Sequence, residues 1–173
     1  MTQDLGVGSH VPVLAAALAR TTGPILECGM GFWSTPLIHM VANGRHVLSL
    51  ETDASWSEQL NGFSNSWHHF GLIENKGHHP AIKEWEKLGA GLERGAFEVA
   101  FLDQSPGEAR VPMAKALKGK VKFIVCHDTD ADLPGSGGNY GWRELEGYFK
   151  YTSTFRDVRP WTTVYSDVEE FKL

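Results

Sequence analysis

Glu27-Cys28-Gly29-Met30-Gly31 sets an acid two residues ahead of a pair of glycines, and a helical pattern starts soon after, at Ser34-Thr35-Pro36. Glycines at such a turn permit positive φ and let a ligand approach the backbone, and the new helix offers unpaired N–H groups. Glu51, Asp103 and the pair His127-Asp128 each stand just past an apolar run. A carboxylate can accept hydrogen bonds from ligand hydroxyls. An imidazole beside a carboxylate can take a proton from a reacting group. These residue types allow ligand binding at the turn, and proton removal or ion binding around Asp103, His127 and Asp128.

Such chemistry requires the run ends to meet in space. The chain alternates. His10 to Arg20 is apolar at helical spacing, with Ser9 placed as its N-cap and Pro12 in its first turn. Pro24–Cys28 reads as a buried strand and Thr35–Val41 as a helix that Asn43-Gly44 ends. Strands follow at His46–Leu50, Trp67–Ile73, Phe97–Leu102 and Val121–Cys126. Helices lie between them at Ala54–Leu60, Pro80–Leu92 and Gly107–Leu117. A glycine-rich loop, Asp130–Gly141, leads to a short helix over Trp142–Phe149, and β runs at Thr154–Val158 and Thr162–Ser166 finish the chain. Apolar strands alternating with helices predict an α/β fold, a Rossmann-like, doubly wound and mostly parallel sheet. Such sheets take ligands beyond the carboxyl ends of their strands, where the chemistry-bearing residues stand.

The 173 residues suit a single domain, 1–173, with a core that needs no staples. A net charge of −5 argues against a phosphate-tracking surface, so no nucleic-acid partner is expected. Cys28 and Cys126 close apolar runs without zinc spacing and read as buried free thiols. The first ten residues lack a secretory pattern, and no apolar run nears the roughly 18 residues of a membrane span. A cytoplasmic protein with no membrane partner is the expectation.

Three ligands compete for the glycine turn. A nucleoside triphosphate needs a lysine that the turn lacks. A dinucleotide fingerprint needs a third glycine where Ser34 stands, and Glu27 would repel its pyrophosphate. S-adenosylmethionine, with an ammonium and a sulfonium, suits Glu27 by charge. Glu51 can accept both ribose hydroxyls in either of the last two.

"ILECGMGFWSTPLIH" followed by "HVLSLETDASW" resembles the first two motifs of class I S-adenosylmethionine-dependent methyltransferases. "FEVAFLDQSPGEAR" and "FIVCHDTD" fall where that family has its fourth and fifth strands, and the two final β runs are similar to its antiparallel C-terminal hairpin. A narrower likeness is to small bacterial methyltransferase-like proteins, through "HVPVL", "HDTD" and "RPWTTVYSD". The resemblance implies a seven-stranded sheet. It implies that Glu27, Gly29 and Gly31 hold the methionine part of the cofactor and that Glu51 holds the ribose. Thr52 and the Glu74-Asn75 loop would lie near the adenine, and Asp103 would face the methionine end and the acceptor. The turn is one residue longer than in many members, which leaves Phe32 and Trp33 without an assigned contact.

Methyl transfer from a sulfonium is an in-line displacement, so the protein must position an acceptor and remove a proton. His127, Asp103 and Asp128 are the expected catalytic group, with His127 as base. The resemblance extends to metal-dependent O-methyltransferases, which carry acids after strands four and five. His127 departs from the oxygen ligands magnesium prefers, and Gln104-Ser105-Pro106 replaces the catalytic lysine of those enzymes. A divalent metal is therefore not favoured. His10 is a substrate contact or a surface cap. Tyr140 and Trp142 are apolar handles of a lid over Asp132–Trp142. Trp56 is read as core. With almost no insertion, the chain must build the acceptor pocket from its first helix and the Asp130–Trp142 loop, with a neighbouring subunit as a further source if the protein is a homo-oligomer, which suits a small-molecule acceptor. The rivals are an NAD-dependent oxidoreductase of related fold and a non-catalytic S-adenosylmethionine binder.

Overall fold

A computed structural model describes residues 8–74, 77–136 and 138–173. Residues 1–7, Asn75, Lys76 and Gly137 lie outside it, and with them part of the expected adenine loop and of the expected lid. The helices are α1 (Val11–Ala19), α2 (Ser34–Ala42), α3 (Ala54–Gln59), α4 (His78–Gly91) and α5 (Arg110–Leu117). The strands are β1 (Ile25–Cys28), β2 (Val47–Glu51), β3 (His68–Leu72), β4 (Val99–Leu102), β5 (Phe123–Cys126), β6 (Tyr151–Phe155) and β7 (Thr162–Ser166). They form one seven-stranded sheet in the order β3-β2-β1-β4-β5-β7-β6. The first five strands are parallel, and β7 runs antiparallel to both β5 and β6. This is the doubly wound sheet with a C-terminal hairpin that the alternation and the resemblance imply.

Side chains of the sheet alternate between two apolar layers. Leu26, Cys28, Leu102 and Cys126 face α4 and α5 with Trp85 and Met113. Ile25, Val47, Phe101 and Phe123 face α1 and α2 with Leu14 and Ile38. Both cysteines are buried and free. The polar pair Glu27 and Ser49, which sit opposite one another in the β1–β2 register, breaks the α1–α2 layer. Among the described residues no helix is long and apolar enough to cross a membrane.

Two boundaries differ from the sequence pattern. Strand β6 starts at Tyr151 rather than Thr154, because its pairing with β7 begins at Tyr151 opposite Ser166 and ends at Phe155 opposite Thr162. The helix predicted over Trp142–Phe149 is a single 3-10 turn, Trp142–Leu145. Glu146 goes extended and Gly147 turns to φ +69°, which ends it.

Candidate active site

A cleft of about 370 Å³ opens past β1, β2 and β4, where the strand order reverses. Its size falls within the range of small-molecule sites. Its walls include His10, Gly31, Glu51, Trp56, Asp103 and Ser105.

Gly29 has φ +85°, and a Cβ there would lie 2.5 Å from the Asp103 and Gln104 backbone. The loop after β4 therefore crosses the turn so closely that a side chain is excluded. Gly31 lines the cleft, and its N–H donates to Thr35 Oγ1 (3.1 Å). The Thr35 hydroxyl donates to both oxygens of Glu27 (3.0 and 3.1 Å), and Ser49 Oγ donates to Oε2 (2.5 Å). The sequence aims Glu27 at a ligand's ammonium. The structure buries it completely under α2, away from the cleft, so that it braces the turn from beneath through Thr35. Burial pushes its carboxyl up to about 7 against the hydrogen bonds of the neighbouring hydroxyls. A polar chain runs on from it: Ser49 Oγ meets His68 Nε2 at 2.8 Å, and His68 Nδ1 meets His39 Nδ1 at 3.0 Å. Burial lowers His68 to about 4.

Glu51 lies on the cleft wall, as its place at the end of β2 predicts. Oε1 accepts the N–H groups of Thr52 (2.7 Å) and Asp53 (3.1 Å), and Oε2 accepts Met30 N–H (2.8 Å). The carboxylate is thus aimed by backbone, and Oε2 keeps a second lone pair. Thr52 packs behind it, with Oγ1 3.2 Å from Oε1. Trp56 is not core. Helix α3 has no buried residue, and the indole forms a cleft wall, donating to Met30 O (2.5 Å) and meeting Phe32 edge-on. Phe32 and Trp33 also line the cleft, and both are about half exposed.

At the other end stand His10 and Asp103. His10 is 3% exposed, caps nothing, and neither ring nitrogen has a hydrogen-bond partner among the described residues. Burial, then the adjacent His127, lowers its pKa to about 4. Its ring lies 4.8 Å from Phe101 and 4.7 Å from His127. Ser9, expected to cap α1, instead bonds across the molecule to His127 Nε2 (3.0 Å) and Pro160 O (2.6 Å). His127 Nδ1 sits 3.2 Å from Asp103 Oδ1 and 3.5 Å from Asp128. Both nitrogens of the expected base are therefore engaged, and the ring is behind the cleft wall.

Sequence reasoning missed Arg110, the hub of this end. It is buried at the start of α5, donates four hydrogen bonds and pairs with two carboxylates. Nε bonds Gln104 O (3.1 Å). Nη1 bonds His127 O (3.1 Å) and Asp128 Oδ2 (2.6 Å). Nη2 bonds Asp103 O (3.2 Å) and forms an ion pair with Asp103 Oδ1 (2.9 Å). Its one sequence signal is an arginine at the head of a helix whose next four residues are apolar. Burial opposes its charge, but the two carboxylates raise its pKa. Burial likewise works against the Asp103 anion, yet Arg110 and then His127 hold that carboxyl below its usual value. Asp128, at φ +56°, turns onto Arg110 and does not line the cleft. A metal between Asp103 and Asp128 does not fit, because a guanidinium already bridges them.

Neither lid residue reaches the cleft. Tyr140 lies against Gly107 and under the Arg110 guanidinium, 5.1 Å away. Trp142 is buried, anchored through Nε1 to Asp128 O (2.9 Å), and faces a separate hollow of about 430 Å³ with Arg156 and Trp161.

The sequence matches no protein-family model and no curated protein. Solved structures do match. Monomeric WbdD superposes over 93% of this chain at TM-score 0.60 and 16% identity. This chain spans 40% of WbdD, which is described as a bifunctional kinase-methyltransferase. The human methyltransferase 10 domain containing protein matches over 98% of this chain and 84% of its own, at TM-score 0.54 and 15% identity. The N-terminal domain of human METTL16, solved in complex with SAH, matches over 92% and 69%, at TM-score 0.55 and 15% identity. The chain has the class I methyltransferase fold.

Proposed function

We propose that the cleft binds S-adenosylmethionine and that the protein transfers its methyl group to a small-molecule acceptor. The observation that carries this is Glu51: a carboxylate held by three backbone N–H groups at the end of β2, on the wall of a cleft at the switch point, with a lone pair to spare for a ribose hydroxyl. S-adenosylmethionine supplies a methyl group already activated on a sulfonium. The residues of the chain orient it. Trp56 and Thr52 flank the adenine end, the Gly29–Gly31 turn takes the methionine part, and Asp103 faces the reacting end with His10 beside it. Arg110 and His127 position Asp103. Asp128 secures Arg110, and Glu27 secures the turn. METTL16, whose fold this chain shares, was crystallised with SAH.

Calorimetric titration with S-adenosylhomocysteine tests this directly. Micromolar binding that weakens in Glu51→Ala is the supporting result. Binding of NADH with none of S-adenosylhomocysteine would replace it with the oxidoreductase reading.

A further inference from the structure

Hydrogen-bond polarity around His127 is fixed by a residue it touches. Ser9 Oγ lies 2.6 Å from Pro160 O, and a carbonyl can only accept, so the single hydroxyl hydrogen points there. The 3.0 Å contact with His127 Nε2 must then be a bond that Nε2–H donates to Ser9. A neutral His127 ring carries its lone pair on Nδ1, and Nδ1 faces Asp103 at 3.2 Å and Asp128 at 3.5 Å. Nδ1 and the Asp103 carboxylate share a positive centre, which is the second ring proton in an imidazolium and a metal ion once one displaces that proton.

His10 closes the same place from α1. It is buried, both its nitrogens lack partners among the described residues, and one of them lies with a nitrogen of His127 and an Asp103 oxygen in a set spanning no more than 4.8 Å. Arg110 bridges Asp103 and Asp128 through one oxygen of each, and Oδ1 of Asp103 is shared with His127 Nδ1. Two carboxylates and one guanidinium leave a single negative charge beside the two imidazoles.

We propose that His10, His127 Nδ1 and Asp103 bind a divalent first-row transition metal ion, with coordination positions open to the cleft. Two nitrogens and one oxygen suit zinc, cobalt or iron(II) better than magnesium. Three protein ligands with the remaining positions open are the pattern of catalytic rather than structural metal sites. The chain Pro160 O···Ser9···His127 then acts as the outer support that a metal-bound imidazole needs on its other nitrogen. This differs from an ion held between acids after β4 and β5, since Arg110 takes that position and the new ligand comes from α1. The ion's open positions would face the same end of the cleft as the acceptor, on the function proposed above, but the site itself does not depend on that function.

The test is titration of the purified full chain, stripped with chelator, with Co²⁺ followed by visible absorption, and with Zn²⁺ in competition. One Co²⁺ per chain with a ligand-field band, displaced by Zn²⁺ and not by equal Mg²⁺, is the expected result. His10→Ala and Asp103→Asn should abolish the band. Ser9→Ala should weaken binding about tenfold to a hundredfold. His78→Ala with His79→Ala, an exposed pair elsewhere, should leave it unchanged. In the unaltered protein, Co²⁺ should broaden the ring NMR signals of His10 and His127 first, which needs no variant to fold. Absence of stoichiometric uptake, uptake that persists in His10→Ala, or preference for Mg²⁺ would overturn the proposal. S-adenosylhomocysteine binding in the stripped protein is a separate readout. Its failure would count against the proposed function and leave the metal result standing.

Discussion

Glu27→Gln should remove a pH-dependent cost that the native protein carries. Glu27 is wholly buried, and its partners are the hydroxyls of Ser49 and Thr35 rather than a cation. Burial raises its carboxyl from 4.5 to about 7. The folded state therefore holds this proton over a range where the unfolded chain has released it, and stability from this group is lost as pH rises from about 4.5 through 7. At 1.36 kcal/mol per unit, the loss comes to about 3 kcal/mol. His10 and His68, both held near 4 by burial, act in the opposite sense, losing stability as pH falls below about 6.5. The informative quantity is thus the difference between the native protein and Glu27→Gln, which shares those histidines. Urea unfolding at pH 5, 6, 7 and 8 should show the native protein losing about 3 kcal/mol relative to the variant across that range. A difference that stays constant with pH would refute the reasoning, because it would mean that the hydroxyls solvate the Glu27 anion as well as water does.

Gly29→Ala should destabilise by about 3 kcal/mol or more in urea unfolding, since φ +85° is strained for alanine and its Cβ meets backbone at 2.5 Å. Arg110→Met leaves two partly buried carboxylates facing each other and should cost about 3–5 kcal/mol. The loss should shrink at acid pH, measured by the same method, because Arg110 keeps Asp103 ionised and that contribution vanishes as pH falls through the lowered Asp103 pKa. Glu51→Gln should weaken S-adenosylhomocysteine about tenfold or more by calorimetry, as a charge-assisted bond to ribose becomes a neutral one. Trp56→Ala should weaken the same ligand with little change in unfolding midpoint, because the indole walls the cleft rather than filling the core.

The fold was legible because it is written locally. Apolar runs, the Asn43-Gly44 stop and the acid-glycine turn each declare themselves within a few residues, and β–α alternation leaves few topologies. The place of Glu51 and Asp103 on the cleft wall is legible from their position as strand-end acids. What the sequence hid depends on pairing at long range. Ser9 has the look of a helix cap, yet its hydroxyl serves a histidine 118 residues away. Arg110 reads as an ordinary first-turn residue until the loops after β4 and β5 fold onto it. Glu27 carried the correct chemistry, but strand alternation and the hydroxyls of Thr35 and Ser49 decide which way it faces. Trp56 reads as core from its helix after Glu51, yet that helix buries no residue and sets the indole on the cleft wall.

The full use of Arg110 bears on what the protein can choose as a partner. A guanidinium next to a reaction site is ordinarily an invitation to phosphates and carboxylates. Here its hydrogen bonds go to Asp128 and three carbonyls, and its charge is already paired with Asp103 and Asp128. An anionic acceptor arriving beside Asp103 would meet that carboxylate and gain nothing from the arginine behind it. On the proposed function, charge at this end of the cleft favours neutral or cationic acceptors while no ion sits on Asp103, and a divalent ion held there would turn that preference towards anions.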